Sequence, residues 1–225
     1  MPQYAIGDIH GCSKTFNELL NKIGLSEGDE LYLLGDYIDR GPDSKGVIDT
    51  IFELREKGFK VICLRGNHES MLLDALKYRE GKNDFMRNGG KQTLQSFHSN
   101  RPIDLPIEYI NFFESLPFYH EVGDYILVHA GLNFLEADPL TDTEAMMWIR
   151  EWYRLMDYNW LGERIILHGH TPIELLEMIE QCENITVDKY VNLDGGCYKN
   201  RYLCAFDMTE KKLIAQKCLD EILYY

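Results

Sequence analysis

Three times in the first third of the chain, a short apolar run gives way to a glycine-bearing loop and then to residues at helical spacing. Tyr4-Ala5-Ile6 leads into a tight turn over 7–11, and from Ser13 the apolar positions fall at Phe16, Leu19, Leu20 and Ile23, with Gly24 as a stop. Leu31 to Leu34 leads through a loop over 35–43 to a helix from Ser44, with Val47, Ile48, Ile51 and Leu54 inward and Gly58 at its end. Val61 to Leu64 leads through 65–69 to a third helix carrying Met71, Leu72, Ala75 and Leu76. Apolar residues three and four apart describe one helix face. A strand that is followed each time by a helix must return parallel to its predecessor, so the pattern predicts an α/β fold built on parallel strands.

The rest of the chain is less regular. Residues from about 78 to 117 are rich in Gly, Asn, Lys and Gln and read as a partly helical, cap-like insertion over one edge. The stretch 135–162 holds all 3 tryptophans, Trp148, Trp152 and Trp160, which are expected in the core. Strands are predicted at Tyr125 to Val128 and Ile165 to Leu167, and an antiparallel meander at 185–187, 190–193, 202–206 and 213–216. No repeat or linker divides the chain, so 1–225 is read as a single domain. The terminal Leu223-Tyr224-Tyr225 is apolar enough to pack on the body or a partner.

The chemistry is carried by the residues just beyond each strand. Ile6 leads to Gly7-Asp8-Ile9-His10-Gly11, Leu34 to Gly35-Asp36-Tyr37-Ile38-Asp39-Arg40-Gly41, and Leu64 to Arg65-Gly66-Asn67-His68-Glu69. Val128 leads to His129-Ala130-Gly131, and Leu167 to His168-Gly169-His170-Thr171. A lone Gly-Asp is an ordinary turn and a lone histidine an ordinary polar residue. Five such clusters at strand ends converge at the carboxyl edge of an α/β sheet, where ligands bind. Carboxylates and imidazoles crowded there would lie desolvated or repel without a cation. The donors Asp8, His10, Asp36, Asn67, His129 and His170 are too many for one tetrahedral zinc and contain no sulfur. They suit two metal ions sharing a carboxylate, with manganese, iron or zinc favoured by the mixed oxygen and nitrogen set.

Composition removes other classes. The formal net charge is −14, which disfavours nucleic acid as a partner. No apolar run approaches the roughly 20 residues of a membrane span, and the first strand begins almost at once with no signal peptide before it. A soluble, cytoplasmic protein with no membrane partner is expected. The 6 cysteines include no C-x-x-C pair, so they are read as free, buried thiols.

The motifs Gly7 to Gly11, Gly35 to Gly41 and Gly66 to Glu69 resemble the three signatures of the calcineurin-like metallophosphoesterases. More narrowly, they resemble the phosphoprotein phosphatase branch with its small bacterial and phage members. The likeness continues through Val128 to Gly131, Gly169 to Thr171 and Asn192 to Cys197, and so touches nearly the whole chain. It implies a sandwich of two mixed β-sheets flanked by helices. It further implies that Asp8, His10 and Asp36 hold one metal and that Asp36, Asn67, His129 and His170 hold the other. A water activated between metals about 3.5–4 Å apart would then attack phosphorus in line. Arg40 and Arg150, with Asn67, would bind the phosphate. His68 would protonate the leaving group, held in its tautomer by Asp39. His168 is read as structural. Gly195 departs from the Asp-Thr-Gly common in such proteins.

Two substrates fit this resemblance: a Ser/Thr phosphoprotein, or a dinucleoside tetraphosphate as in the symmetric tetraphosphatases. Asp39 and Glu69 favour the phosphoprotein reading, because the tetraphosphatase branch tends to lack the first and to carry Asp in place of the second. A catalytically silent phosphate-binding module would have lost a ligand or the acid, and none is missing. The stretch 135–162 and the segment Asn88-Gly89-Gly90-Lys91 are expected to wall the cleft.

Overall fold

The computed structural model describes residues 1–78 and 81–222; the expectation for Leu223-Tyr224-Tyr225 lies outside them. The first three units form as the periodicity predicts. Strands β1 (Gln3–Ile6), β2 (Glu30–Leu33) and β3 (Lys60–Cys63) alternate with helices α1 (Ser13–Ile23), α2 (Ser44–Glu56) and α3 (Asn67–Lys77). Gly24 ends α1 in the left-handed conformation at φ 69°, which costs little without a Cβ. The insertion folds as α4 (Gly81–Phe85), a π-helical turn over Met86–Gly90, α5 (Lys91–Ser96) and α6 (Ile107–Ser115). After it come β4 (Tyr119–Val122), β5 (Tyr125–Val128), α7 (Thr143–Trp148), α8 (Tyr158–Leu161) and β6 (Ile165–His168). The chain closes with α9 (Leu175–Glu183), α10 (Ile185–Asp188), β7 (Tyr190–Asn192), β8 (Tyr202–Asp207) and β9 (Lys212–Lys217).

Two mixed sheets result. One has the order β3-β2-β1-β8-β9, with β1, β2 and β3 parallel and β8 and β9 antiparallel. The other has the order β4-β5-β6-β7, with β5, β6 and β7 parallel and β4 antiparallel at its edge.

Strand alternation sorts the apolar residues into three layers, because successive side chains point to opposite faces. Ala5, Tyr32, Leu34, Leu127, Leu167, Val191 and Phe206 fill the space between the sheets. Tyr4, Ile6, Leu31 and Leu33 face outward onto Phe16, Leu19, Val47 and Ile51 of the helices. Ile126, Val128 and Ile166 face the opposite way onto Met146, Trp152 and Leu161. Phe85, Leu94, Phe97, Phe112 and Phe113 of the insertion are continuous with the outer core beneath α1 and α2.

Three expectations need correction. Residues 185–187 are helical, not extended: Ile185 is buried, but Val187 is 71% exposed, so β-branching without a pleated surface to pack on does not make a strand. β7 lies parallel to β6 because α9 carries the chain back across the sheet, so only β8 and β9 form the antiparallel end. β4 has no counterpart among the predicted strands; it pairs with β5 across the two-residue turn Gly123-Asp124, with Gly123 at φ 55°.

The sheets approach closely where the chain leaves β1. A Cβ placed on Gly7 would sit 2.2 Å from the carbonyl oxygen of Leu193, just beyond β7. Gly7 therefore brings Asp8 of one sheet beside the strand ends of the other. A Gly7→Ala substitution should force the sheets apart and cost about 1–3 kcal/mol. Urea denaturation would measure this, and a change within a few tenths of a kcal/mol would show that the contact is not tight.

Candidate metal centre

Six parallel strands end at the same place. β1 delivers Asp8 and His10, β2 Asp36, β3 Asn67 and His68, β5 His129, β6 His170 and β7 Asp194. Asp8, His10, Asp36, Asn67, His68, His129 and His170 are all buried despite their polarity. The loops that aim them are strained. His10, Asp36, Asp39, Arg40 and His170 have φ of 49°, 54°, 69°, 68° and 73°, a left-handed region that non-glycine residues seldom adopt. Each costs on the order of 1–3 kcal/mol, so the surrounding contacts must over-determine the geometry.

Those contacts are visible. Glu69 accepts the backbone N–H groups of Asp36 (3.0 Å), Tyr37 (2.8 Å) and Gly66 (2.9 Å), tying the loops after β2 and β3 together. Asp36 Oδ1 accepts the N–H of His68 at 3.1 Å, and both oxygens of Asp8 lie 3.1 Å from the N–H of His170. Gly66 and Gly169 are required by close approach, since a Cβ would lie 2.2 Å from Asp36 Oδ1 and 2.1 Å from Asp8 Oδ1 respectively.

Asp36 stands between two donor groups. Its Oδ2 is 3.4 Å from His10 Nε2 and 3.8 Å from His68 Nε2; its Oδ1 is 3.4 Å from His129 Nε2. Ligand atoms of His10, Asp36 and His68 lie within 4.8 Å of one another, and so do those of Asp36, His129 and His170. Asp8 Oδ2 approaches His10 Nε2 at 4.0 Å, and Asn67 Oδ1 is 2.9 Å from both His129 Nε2 and His170 Nδ1.

The tautomers follow from the second ring nitrogens. His10 Nδ1 donates to the Ile38 carbonyl (2.9 Å) and His129 Nδ1 to the Leu34 carbonyl (3.0 Å), leaving each Nε2 with a lone pair turned toward carboxylate and amide oxygens. Burial holds His129 and His170 neutral by lowering their pKa to about 3, and burial also lowers His10. The buried Nε2 of His170 has no hydrogen-bond partner among the described residues. At His129 a lone pair faces the Asn67 and Asp36 oxygens with no proton between them, an arrangement that a cation can satisfy.

The other expected residues are accounted for. His68 Nδ1 lies 2.7 Å from Asp39 Oδ2, and its buried Nε2 has no partner among the described residues. Arg40 Nη1 donates to His10 Nε2 at 2.9 Å, with its guanidinium 4.3 Å above the Tyr198 ring. Arg150 is exposed after α7, near enough for its charge to depress the pKa of His170. His168 packs edge-on against Trp152 at 5.1 Å. Trp152 is buried as expected, but Trp148 is 40% exposed and stands 6.2 Å from the His170 ring, because it ends α7 at the rim of the centre.

Sequence reasoning missed three participants. Thr93 of α5 donates to Asp39 Oδ1 at 2.6 Å and accepts the Asp39 N–H at 2.8 Å, so the insertion fixes Asp39 as well as flanking the cleft. Asp194 is buried beside Asp8, its Oδ2 without a partner among the described residues; its signal was a sixth strand end, Asn192-Leu193-Asp194-Gly195-Gly196. Tyr198 packs edge-on to His10 at 4.8 Å, and no sequence pattern marks it.

Burial pushes Glu69 up to about 8 and Asp194 to about 7, and raises Asp8 and Asp39 well above the carboxylate range. Groups raised this way stabilise the fold fully below their unfolded pKa near 4, and lose that contribution as pH climbs through the folded values. The depressed histidines act oppositely, losing stability as pH falls from about 6.5 toward 3. Metal-free protein should therefore melt progressively lower between about pH 6.5 and 8.5, and a divalent cation should remove that slope. A flat melting temperature in chelator across this window would contradict the electrostatics.

The family model described as Calcineurin-like phosphoesterase matches residues 1–206. The asymmetrical bis(5'-nucleosyl)-tetraphosphatase PrpE of Oceanobacillus iheyensis is 25% identical over 240 aligned positions, covering 93% of this chain and 90% of the relative. The symmetrical bis(5'-nucleosyl)-tetraphosphatase of Nitrosomonas europaea is 36% identical over 135 residues, 59% of this chain and 45% of the relative. Among solved structures, a protein serine/threonine phosphatase from Saccharomyces cerevisiae superposes with a TM-score of 0.66 at 16% identity, over all of this chain and 81% of the other. A candidate diadenosine tetraphosphatase superposes at 0.69 with 20% identity, over 98% of this chain and 95% of the other. These two likenesses speak to the fold.

Proposed function

The chain belongs to the calcineurin-like phosphoesterase family, and from that premise we propose that it hydrolyses dinucleoside polyphosphates at a two-cation centre. Asp8, His10 and Asp36 would hold one cation and Asp36, Asn67, His129 and His170 the other, with Asp36 contributing to both. Divalent ions held there, Mn2+ by preference with Fe or Zn as alternatives, would supply positive charge for the phosphate and lower the pKa of a bound water toward neutral. Arg40, Arg150 and Asn67 hold phosphate oxygens, the guanidinium forks pairing with them bidentately. In its imidazolium form His68 gives the Nε2 proton to the departing oxygen and is left neutral, with its Nδ1–H still donated to Asp39.

The observation that carries the nucleotide reading is a cavity of about 230 Å³ next to the centre. Its wall includes Ala130 and Thr171, which adjoin His129 and His170, and Arg150, whose charge reaches His170. Tyr153 and Tyr190 stack there at 5.1 Å and 9°, with Trp152 edge-on to Tyr190 at 5.7 Å. An aromatic stack is a platform on which a nucleobase continues. The curated relatives named as tetraphosphatases support the same choice. Glu69, part of the sequence case for a phosphoprotein, binds only backbone N–H groups and so bears on loop geometry more than on substrate.

The phosphoprotein reading keeps one specific support, the 2.7 Å Asp39–His68 pair. A serine alkoxide needs a general acid to leave, whereas a nucleoside diphosphate leaves with less help. The two are separated by turnover with Mn2+ on diadenosine tetraphosphate and on a phosphoserine peptide, in wild type, Tyr190→Ala and His68→Asn. We expect the tetraphosphate to be preferred at least about tenfold in kcat/KM, about 1.4 kcal/mol. Tyr190→Ala should raise KM for it alone and leave para-nitrophenyl phosphate unaffected. His68→Asn should lower kcat on the peptide by about 10²–10⁴ and less on the tetraphosphate. Preference for the peptide, with Tyr190→Ala silent, would instead make the protein a phosphoprotein phosphatase.

A further inference from the structure

A second cluster of ligand atoms lies at the start of α1, made entirely of sulfur. The Sγ atoms of Cys12, Cys197 and Cys218 all lie within 4.8 Å of one another. They arrive from three separate segments: the turn before α1, the loop between β7 and β8, and the residue after β9. We propose that these three cysteines form a thiolate site for a soft d10 cation, Zn2+ or Cu+, distinct from the oxygen and nitrogen centre.

The geometry suits such an ion. A metal–sulfur bond of about 2.3 Å places thiolates about 3.8–4.0 Å apart around one cation, so the observed cluster needs less than about 1 Å of closure. The three backbones are each fixed. The Cys12 carbonyl accepts the N–H of Phe16 at 2.9 Å in the first turn of α1, Cys197 follows Gly196 at φ 70°, and the Cys218 N–H donates to the Arg201 carbonyl at 2.8 Å.

The surroundings are not those of thiols serving as plain hydrophobes. Cys12 Sγ lies 3.5 Å from the His10 carbonyl oxygen and Cys218 Sγ 3.6 Å from that of Asp220. The Thr15 hydroxyl is 3.8 Å from Cys218 Sγ and donates to the buried Asp220 carboxylate at 2.6 Å. Cys12 and Cys197 are fully buried and Cys218 is half-buried, and zinc held by three thiolates takes a water as its fourth ligand. All-sulfur ligation selects soft ions, whereas the mixed centre selects borderline ones, so the two sites need not compete. Binding releases one proton from each thiol. The ion would staple α1 and the end of β9 to the loop that carries Tyr198, whose ring rests on His10.

The test uses the reduced full chain saturated with Mn2+ and titrated with Cd2+, read by the ultraviolet thiolate-to-cadmium charge-transfer band and by counting the thiols that remain reactive. One equivalent should saturate the band and protect three thiols. Cys218→Ser, at the half-buried position least able to disturb folding, should remove most of the band and weaken binding at least tenfold. Cys182→Ser should leave it intact, and both variants should keep Mn2+-dependent turnover. Absence of a band at one equivalent, or a band that survives in Cys218→Ser, would overturn the proposal.

Discussion

The buried carboxylate of Asp36 is the point on which the structure turns. It is 2% exposed, lies at the end of a central strand, and presents one oxygen to His10 and His68 and the other to His129. An ionised carboxylate alone in such a place would carry a heavy desolvation cost, and neutral imidazoles lend it no counter-charge. Cations on its two sides, as proposed above, would convert that liability into the reason for the arrangement. Several features serve to hold this one group in place: the positive φ of Asp36, the three N–H bonds to Glu69, and the glycines at 35 and 66.

The two sheets supply the two halves of the centre. Asp8, His10, Asp36, Asn67 and His68 follow strands of one sheet; His129, His170 and Asp194 follow strands of the other. Neither sheet alone presents a complete donor set, so closing the sandwich and assembling the site are one event. The apolar layer between the sheets, from Ala5 and Leu34 to Leu167 and Phe206, thus has a functional consequence. The insertion contributes from outside. Thr93 grips Asp39, and a Cβ on Gly89 would lie 2.6 Å from Arg40 N, so the loop bearing both residues is braced on its far side.

Much of this was legible in the sequence, for physical reasons that differ between residues. Asp8, His10, Asp36, Asn67, His129 and His170 could be singled out because parallel strands put their carboxyl ends on one edge, so position along each strand predicts position in space. The Asp39–His68 pair was expected and lies together. What escaped was set by packing between distant segments. Thr93 sits in a stretch of weak periodicity, the three clustered cysteines show no local spacing, and Tyr198 is one aromatic among 14 tyrosines. The 185–187 segment misled because Ile185 and Val187 favour strands intrinsically, while their burial, which decides the matter, belongs to the tertiary fold. Substrate choice was the least legible, since the aromatic cavity draws on residues from Ala130 to Asn192 that share no motif.

The shared carboxylate makes the most direct measurement a count of bound metal. Chelator-stripped protein is titrated calorimetrically with Mn2+, and metal per chain is determined after dialysis, for wild type and Asp36→Asn. The account predicts two ions per chain in the wild type and weakening of both by at least about tenfold, about 1.4 kcal/mol each, in the variant. One ion in the wild type, or two retained at unchanged affinity in Asp36→Asn, would contradict a centre built around that residue.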